Sequence, residues 1–196
     1  MKLVLATSNK GKLAEIAPIV QAFGFDALPQ NHYGFADAEE TGLSFVENAL
    51  IKARHACVQT GLPALADDSG IIIDALNGAP GLISAHYAGV HGDSAGNIAK
   101  VLTELAQLQS PLRSARFYCC MVLLKHANDP QPIIAEGIWH GEILSAPLGE
   151  HGFGYDPIFW DSKHQMSAAQ MPAELKNRLS HRGQALQQLK LKLANA

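Results

Sequence analysis

The sequence predicts an α/β protein whose sheet contains both parallel and antiparallel strand pairs. Short apolar runs, typical of strands buried on both faces, alternate with segments whose apolar residues recur at helical spacing. The two longest strand candidates, 115–124 and 133–143, flank a loop at 126–132 that is rich in Asn, Asp and Pro, which predicts a hairpin. The alternation of helices and strands follows no fixed repeat.

The N-terminal half begins with a strand over 3–6, followed by a helix that ends near Gly24. The apolar positions of this helix share a helical spacing: Leu13, Ile16, Val20 and Phe23. Pro18 lies inside the pattern and predicts a kink or a shifted start. Ser44 and Glu47 form a capping box that opens a second helix.

The later elements follow from the same signals. The predictions are a strand at 70–74, a helix over 94–107, a short strand at 156–160, a helix that begins within 172–176, and a last helix that begins near Ser180. The last helix carries Leu186, Leu189 and Leu193 at the spacing of one buried face.

Length and composition limit the classes of protein that the chain can form. Its 196 residues suit one domain or two closely packed lobes, and we take 1–196 as a single domain. A formal charge of −3 gives no basic surface for binding nucleic acid or a membrane, although a few lysines could bind a small polyanion. Because no apolar run approaches about 18 residues and the three cysteines give no disulfide framework, we expect a cytoplasmic protein.

The most informative segment is 66–70, where Asp67 and Asp68 end an apolar run and Ser69 and Gly70 follow. This order predicts a strand that ends in a tight turn. Adjacent carboxylates repel each other unless a cation or water compensates them. Mg²⁺ is the usual cation where phosphates are handled. For this segment taken alone, a solvated turn is the better explanation.

Two other segments carry charge near predicted helix starts. Residues 7–12 join the first strand to the first helix, where backbone amides and the helix dipole favour an anion. Lys10 and Lys12 add positive charge, but the spacing is not that of a Walker A loop, and an ordinary capped loop is an equal alternative. Glu39 and Glu40 form a second acidic pair, which is either a solvated turn or the source of a metal ligand.

Three further patterns could be functional or could be ordinary structure. The glycine-flanked loop 152–157 either offers an aromatic ring to a flat base or covers the core with its aromatics. His181 and Arg182 place cations at a helix start, which opposes the dipole and indicates function, with solvated surface as the alternative. Asn48 and Lys52 share a helix face, for which a surface salt-bridge face is the more frequent explanation.

Taken in order, these motifs and the Gly-Ala-Pro-Gly turn at 78–81 resemble the inosine triphosphate pyrophosphatase family, from residue 3 to about 190. The resemblance implies hydrolysis of noncanonical purine nucleoside triphosphates (ITP, dITP, XTP) to the monophosphate and pyrophosphate. It also implies Mg²⁺ and a homodimer. The implied fold has two α/β lobes around a long central mixed sheet, with the substrate in the cleft between the lobes.

The resemblance also assigns roles to individual residues. Asp68 matches the general base and a metal ligand, and Glu39 matches another metal ligand. The implied substrate-binding residues are Thr7, Ser8, Asn9, Lys10, Gly11, Lys12, Ser69, Phe153, Gly154, Tyr155, Asp156, Lys176, His181 and Arg182. Of these, Phe153 would stack on the purine, whereas His181 and Arg182 would donate to its 6-oxo group.

The chain departs from the family pattern at a few positions. Ser8 and Trp160 replace a usual glycine and phenylalanine, His86 stands where arginine is expected, and Pro18 is unexpected. Two other functions stay open. One is a nucleotide-binding sensor module without turnover, which would have no use for the acidic residues. The other is a pyrophosphatase that acts on pyrimidine or modified nucleotides.

Overall fold

The computed structural model describes residues 1–109 and 112–195. Its strands are β1 (Lys2–Leu5), β2 (Asp26–Pro29), β3 (Ala64–Ile73), β4 (Ser114–Leu124), β5 (Ile133–Ile143), β6 (Phe159–Asp161) and β7 (Met166–Ser167). They form a seven-stranded sheet in the order β2-β1-β3-β4-β5-β6-β7. β1 is parallel to β2 and β3, whereas β6 is antiparallel to β5 and β7. The predicted α/β class with a mixed sheet is therefore confirmed.

The helices agree with the predicted positions to within a few residues. They are α1 (Lys10–Ala22), α2 (Phe45–Thr60), α3 (Ser94–Ala106), α4 (Ala173–Leu179) and α5 (His181–Ala194). Pro18 lies inside α1 and does not shift its start, because Asn9 caps the helix through its side chain. No helix in the described part of the chain combines the length and the apolar character needed to cross a membrane.

The prediction that the acidic segment ends a strand in a tight turn is wrong. β3 runs without interruption from Ala64 to Ile73 and includes both Asp67 and Asp68. Both carboxylates are buried there, and each forms an ion pair with a lysine. The turn was predicted from the turn propensity of Asp, Ser and Gly. The two lysines compensate the carboxylates, so both can be buried within a continuous strand.

The short strand predicted at 156–160 is only partly present. A single turn of 3₁₀ helix occupies Asp156–Ile158, and β6 begins at Phe159. Pro157 explains the difference, because its fixed φ suits a helical turn and it has no N–H to donate to a neighbouring strand.

The described residues divide into two compact units, and the division falls within β3, β4 and β5. Among these residues, the first unit comprises 1–68, 119–137 and 182–195, and the second comprises 69–109, 112–118 and 138–181. Each unit has its own apolar core. In the first unit, α1 and α5 pack on β1 and β4. In the second unit, α3 packs with residues of β3, β4 and β5 and with the aromatic rings of Phe117, Trp139 and Phe159.

Candidate active site

The loop between β1 and α1 is exposed and is held in shape by its own side chains. The Asn9 side chain accepts a hydrogen bond from the Lys12 amide at 3.1 Å, and Thr7 Oγ1 accepts one from the Asn9 amide at 3.2 Å. The Ser8 hydroxyl donates to Asp37 at 3.3 Å. The residues from Ser8 to Gly11 are exposed at this helix start, as an anion-binding loop requires.

Asp67 lies at the centre of a buried ion-pair network in the first unit. Its carboxylate is 2.8 Å from the Lys12 ammonium and 3.8 Å from Arg182 Nε. Arg182 is only 3% exposed, and its guanidinium also donates to Glu15 at 2.9 Å. The solvated-surface alternative for the start of α5 is therefore wrong for Arg182, which is buried and has its charge balanced by Glu15 and Asp67.

Asp68 shares a lysine with the upstream acidic pair. The Lys52 ammonium is 2.8 Å from Asp68 Oδ1 and 2.9 Å from Glu40 Oε1. The Asn48 side chain, one turn earlier on α2, accepts a hydrogen bond from the Gly42 amide at 2.8 Å. The face shared by Asn48 and Lys52 is thus largely buried against the acidic residues, and the surface salt-bridge interpretation is wrong. Glu39, next to Glu40, is exposed.

The two adjacent carboxylates have opposite pKa shifts. Burial alone would raise the pKa of Asp67, but the nearby charges of Lys12, Arg182 and Lys52 outweigh it and hold this pKa well below its usual range. At Asp68, burial dominates and raises the pKa, and Lys52 offsets only part of the effect. Asp67 therefore remains ionised, whereas Asp68 has the greater tendency to take up a proton.

One oxygen of the acidic pair is available to a ligand. Asp68 Oδ2 is buried and forms no hydrogen bond with any residue of 1–109 or 112–195. Within those ranges no group of three or more His, Cys, Asp or Glu residues is arranged to hold a metal. Mg²⁺ commonly binds through one or two carboxylates, with water and substrate phosphates completing its coordination. Asp68 and one glutamate of the acidic pair at 39–40 would supply the two carboxylates of that mode, and Glu40 already shares the Lys52 ammonium with Asp68.

In the second unit, the loop before β6 presents an aromatic ring. Phe153 is 48% exposed, so the alternative that it covers the core is wrong for this residue. Asp156 accepts a hydrogen bond from the Phe153 amide at 2.8 Å and forms an ion pair with Lys176. The Lys176 ammonium lies 4.8 Å from the centroid of the Phe153 ring, which is a cation–π contact.

Tyr155 is used differently from Phe153. It is 4% exposed, and its hydroxyl donates to the Ser84 carbonyl at 2.9 Å, so its side chain packs in the core. The Ser84 hydroxyl in turn donates to the Gly81 carbonyl at 2.5 Å and accepts from the Ile71 amide at 3.0 Å. Ser84 therefore ties the turn at 78–81 and the strand β3 to the aromatic loop.

His181 begins α5 and is buried against an aromatic ring. It is 8% exposed, and its imidazole stacks on Phe117 with centroids 4.8 Å apart and an interplanar angle of 13°. Ser69, which follows Asp68 on β3, is partly buried. His86, where arginine was expected, is exposed and stacks loosely on His91 at 6.5 Å.

The predicted site residues fall into two groups by unit. The first unit contains the loop 7–12, Glu39, Asp68 and Arg182, and the second contains Ser69, the loop 153–156, Lys176 and His181. Sequence reasoning missed the roles of Glu15 and Phe117 and undervalued Lys52. The available signal was the position of Lys52, on one helix face with Asn48 and 12 positions after Glu40.

Comparison with known proteins identifies the class. The Ham1 family matches residues 3–192, nearly the whole chain. The chain therefore belongs to the Ham1 family.

Individual relatives support this assignment over nearly their full length. A dITP/XTP pyrophosphatase of Xylella fastidiosa (strain 9a5c) is 57% identical over 189 residues, which cover 96% of this chain and 95% of that protein. A dITP/XTP pyrophosphatase of Vibrio cholerae is 51% identical over 188 residues, with 96% and 94% covered. The structure of a HAM1 protein from Coxiella burnetii matches with a TM-score of 0.95 at 50% identity and covers 100% of both chains. The chain is an enzyme, and the hydrolase class that the sequence resemblance implied is confirmed.

Proposed function

We propose that this enzyme hydrolyses noncanonical purine nucleoside triphosphates, such as ITP, dITP and XTP, between the α- and β-phosphates. The products are the nucleoside monophosphate and pyrophosphate. Two close relatives named dITP/XTP pyrophosphatases support the substrate class. The bond cleaved and the need for Mg²⁺ rest on the family resemblance and on the chemistry of the acidic site.

The contrast between Asp67 and Asp68 carries the proposal. Neighbouring carboxylates whose environments push their pKa values apart are suited to different tasks. Asp67 stays ionised and holds Lys12 at the start of α1. There the positive charge of Lys12 would attract the phosphates of a nucleoside triphosphate. Asp68, with its raised pKa and buried Oδ2, is the group suited to take a proton from an attacking water.

Positive charge near the acidic pair would neutralise the phosphates. The exposed amides at the start of α1, the Lys12 ammonium and the Lys52 ammonium each favour an anion. Mg²⁺, held by Asp68 and one glutamate of the pair at 39–40, would supply further charge neutralisation and polarise the phosphate oxygens. Lys52 contacts Asp68 through Oδ1, which leaves the buried Oδ2 as the oxygen for the metal.

The base would be recognised by residues of the aromatic loop and by the start of α5. Half-exposed Phe153 offers a flat face for a purine, and base–aromatic stacking contributes about 1–3 kcal/mol. A buried donor such as His181 favours a 6-oxo group. Adenine presents an amino group there instead, and leaving a buried donor unpaired costs about 1–3 kcal/mol.

A substrate panel tests the proposal. The purified protein is incubated with ITP, XTP, dITP, ATP, GTP, CTP and UTP, with Mg²⁺ or with a chelator, and pyrophosphate and orthophosphate are measured separately. We expect pyrophosphate from ITP, XTP and dITP in Mg²⁺ and none in the chelator. Orthophosphate as the product, or tight binding without turnover, would contradict the proposal. Turnover of pyrimidine nucleotides in preference to ITP would support the broader alternative instead.

We further propose that the enzyme works as a homodimer, which rests on the family resemblance. The chain has a mass of 21.0 kDa, so light scattering at working concentration should give twice that value. A monomer mass with full activity would contradict this part of the proposal.

A further inference from the structure

We propose that Phe117 is a positioning residue that fixes the plane of the His181 imidazole and thereby sets its hydrogen bond to the purine base. The inference rests on the proposed function, because the base contact of His181 belongs to it. Phe117 lies on β4, 64 positions before His181 in the chain, and no sequence motif connects them.

The geometry of the pair is that of an aromatic stack. The two rings are nearly parallel, at 13°, and their centroids are 4.8 Å apart, which is within the range of offset stacking. Phe117 is buried, and so is His181. A face-to-face contact of this kind blocks rotation of the imidazole out of its plane, since any such rotation would drive its edge into the Phe117 ring.

The plane of the imidazole decides where its N–H groups point. Both ring nitrogens donate or accept within the plane of the ring, and hydrogen bonds prefer an angle at the hydrogen above about 150° and weaken steeply below about 120°. Fixing the plane therefore fixes the direction in which His181 can donate. The backbone at this position is also set, because the Ser180 amide donates to the Lys176 carbonyl at 2.8 Å just before α5 begins.

Phe117 can hold another ring only if it is held itself. It packs on Phe159 with centroids 4.6 Å apart and on Trp139 at 6.2 Å, and those two rings contact each other at 4.9 Å. The Trp139 indole donates to the buried Asp161 carboxylate at 2.9 Å. The support behind His181 is thus a set of interlocked rings anchored by a hydrogen bond.

The first test is a measurement on the unmodified protein. His181 ring-proton resonances are assigned by comparison with His181→Ala, and their chemical shifts are compared with those of free histidine. A stacked Phe117 ring shifts them upfield, and Phe117→Leu returns them toward the free value. Ring protons at the free-histidine position in the wild type would overturn the inference even if Phe117→Leu fails to fold.

The second test is a double-mutant cycle on the kinetics. Phe117→Leu should raise KM for ITP about 3- to 10-fold with little change in kcat, as expected for the loss of one aromatic contact. In the His181→Ala background the same change should have almost no further effect, because Phe117 acts through His181. Equal effects of Phe117→Leu in both backgrounds would show a merely structural role and overturn the inference.

Phe159→Leu is the matched control. Phe159 is fully buried in the same group of rings, and its ring contacts are with Phe117 and Trp139. Phe159→Leu should lower the unfolding temperature about as much as Phe117→Leu does, but it should raise KM for ITP less than Phe117→Leu. A larger rise in KM than for Phe117→Leu would overturn the inference. Absence of ITP turnover in the wild type would overturn the proposed function and the base contact of His181, whereas normal turnover with additive mutant effects would overturn only the role of Phe117.

Discussion

The two units solve different physical problems with different side chains. In the first unit, Asp67 and Asp68 are buried beside Lys12, Lys52 and Arg182. In the second unit, the residues predicted to contact a base are organised by ring contacts, with Phe153 under Lys176 and His181 on Phe117. The first group is held by charge, whereas the second is held by ring contacts together with the ion pair between Asp156 and Lys176.

The difference teaches how each group can be disturbed. Buried charges depend on their partners, so removing a partner that no neighbouring group replaces leaves a charge unpaired at a cost of several kcal/mol. Stacked rings lose one contact at a time, and each contributes about 0.5–1.5 kcal/mol. We therefore expect substitutions in the first unit to act on the chemical step or on stability, and substitutions in the second unit to act mainly on substrate affinity.

The largest expected effect is the loss of turnover on substitution of Asp68. Asp68→Asn keeps the shape of the side chain but removes the base, so kcat should fall about 10²- to 10⁴-fold. Folding should be retained, because Lys52 keeps Glu40 as a partner, and nucleotide affinity should largely remain. Steady-state kinetics with ITP and thermal unfolding measure both. Asp74→Asn, at an exposed carboxylate paired with Arg116, is the control and should retain full turnover; full activity of Asp68→Asn would contradict the general-base assignment.

Asp67→Asn should act on stability more than any other single carboxylate change. The variant removes the anion that partly buried Lys12 and buried Arg182 share, and breaking a buried ion pair costs about 3–5 kcal/mol. Because folding lowers the pKa of Asp67, its contribution is fully present above the unfolded pKa of about 3.9 and is lost as the pH falls toward the folded pKa.

Urea unfolding in a chelator, at a series of pH values from neutral to about 3, measures this dependence. The difference in unfolding free energy between wild type and Asp67→Asn should be constant near neutral pH and shrink below the unfolded pKa. A difference in unfolding free energy that grows on acidification would contradict the low pKa of Asp67. It would also contradict the conclusion that ion pairs hold the site residues of the first unit in place.

The sequence predicted most elements because their signals are local. Neighbouring residues alone produce these signals, and the structure confirms them: the apolar runs that predicted strands, the Ser44–Glu47 cap and the start of the last helix. The acidic segment was predicted to be a turn because its lysine partners lie 16 or more positions away and on two different helices. Local turn propensity was overridden by these distant charges.

For the candidate site, too, local sequence signals do not reveal contacts between residues distant in the chain. Phe153 and Tyr155 lie in one loop with the same glycine signal, yet one ring is half exposed and the other is buried against Ser84. Only the tertiary contact distinguishes them. Glu15 and Phe117 carried no motif at all, because each acts on a residue more than 60 positions away along the chain.

Gly152→Ala tests how the aromatic loop is held. Gly152 has φ +80°, and an added Cβ would lie 2.2 Å from Asp156 Oδ2, the oxygen that accepts from the Phe153 amide. We expect a loss of about 2 kcal/mol in unfolding free energy, from backbone strain and the displaced Asp156. Gly154→Ala is the matched control for strain alone, since it has φ +60° and a Cβ there meets no atom of the described residues within 4 Å. Equal losses in the two variants would mean that Asp156 does not hold the loop.

Phe153→Ala should have the smallest effect on stability and should change KM without changing kcat. Phe153 is exposed enough that its truncation leaves the core intact, so stability should hardly change. Loss of one stacking contact should raise KM for ITP about 10-fold and leave kcat nearly unchanged. Phe23→Ala, at a second partly exposed phenylalanine in the first unit, is the control and should leave KM unchanged. A fall in kcat without a rise in KM would place Phe153 in the chemical step and remove the distinction between the charged unit and the stacking unit.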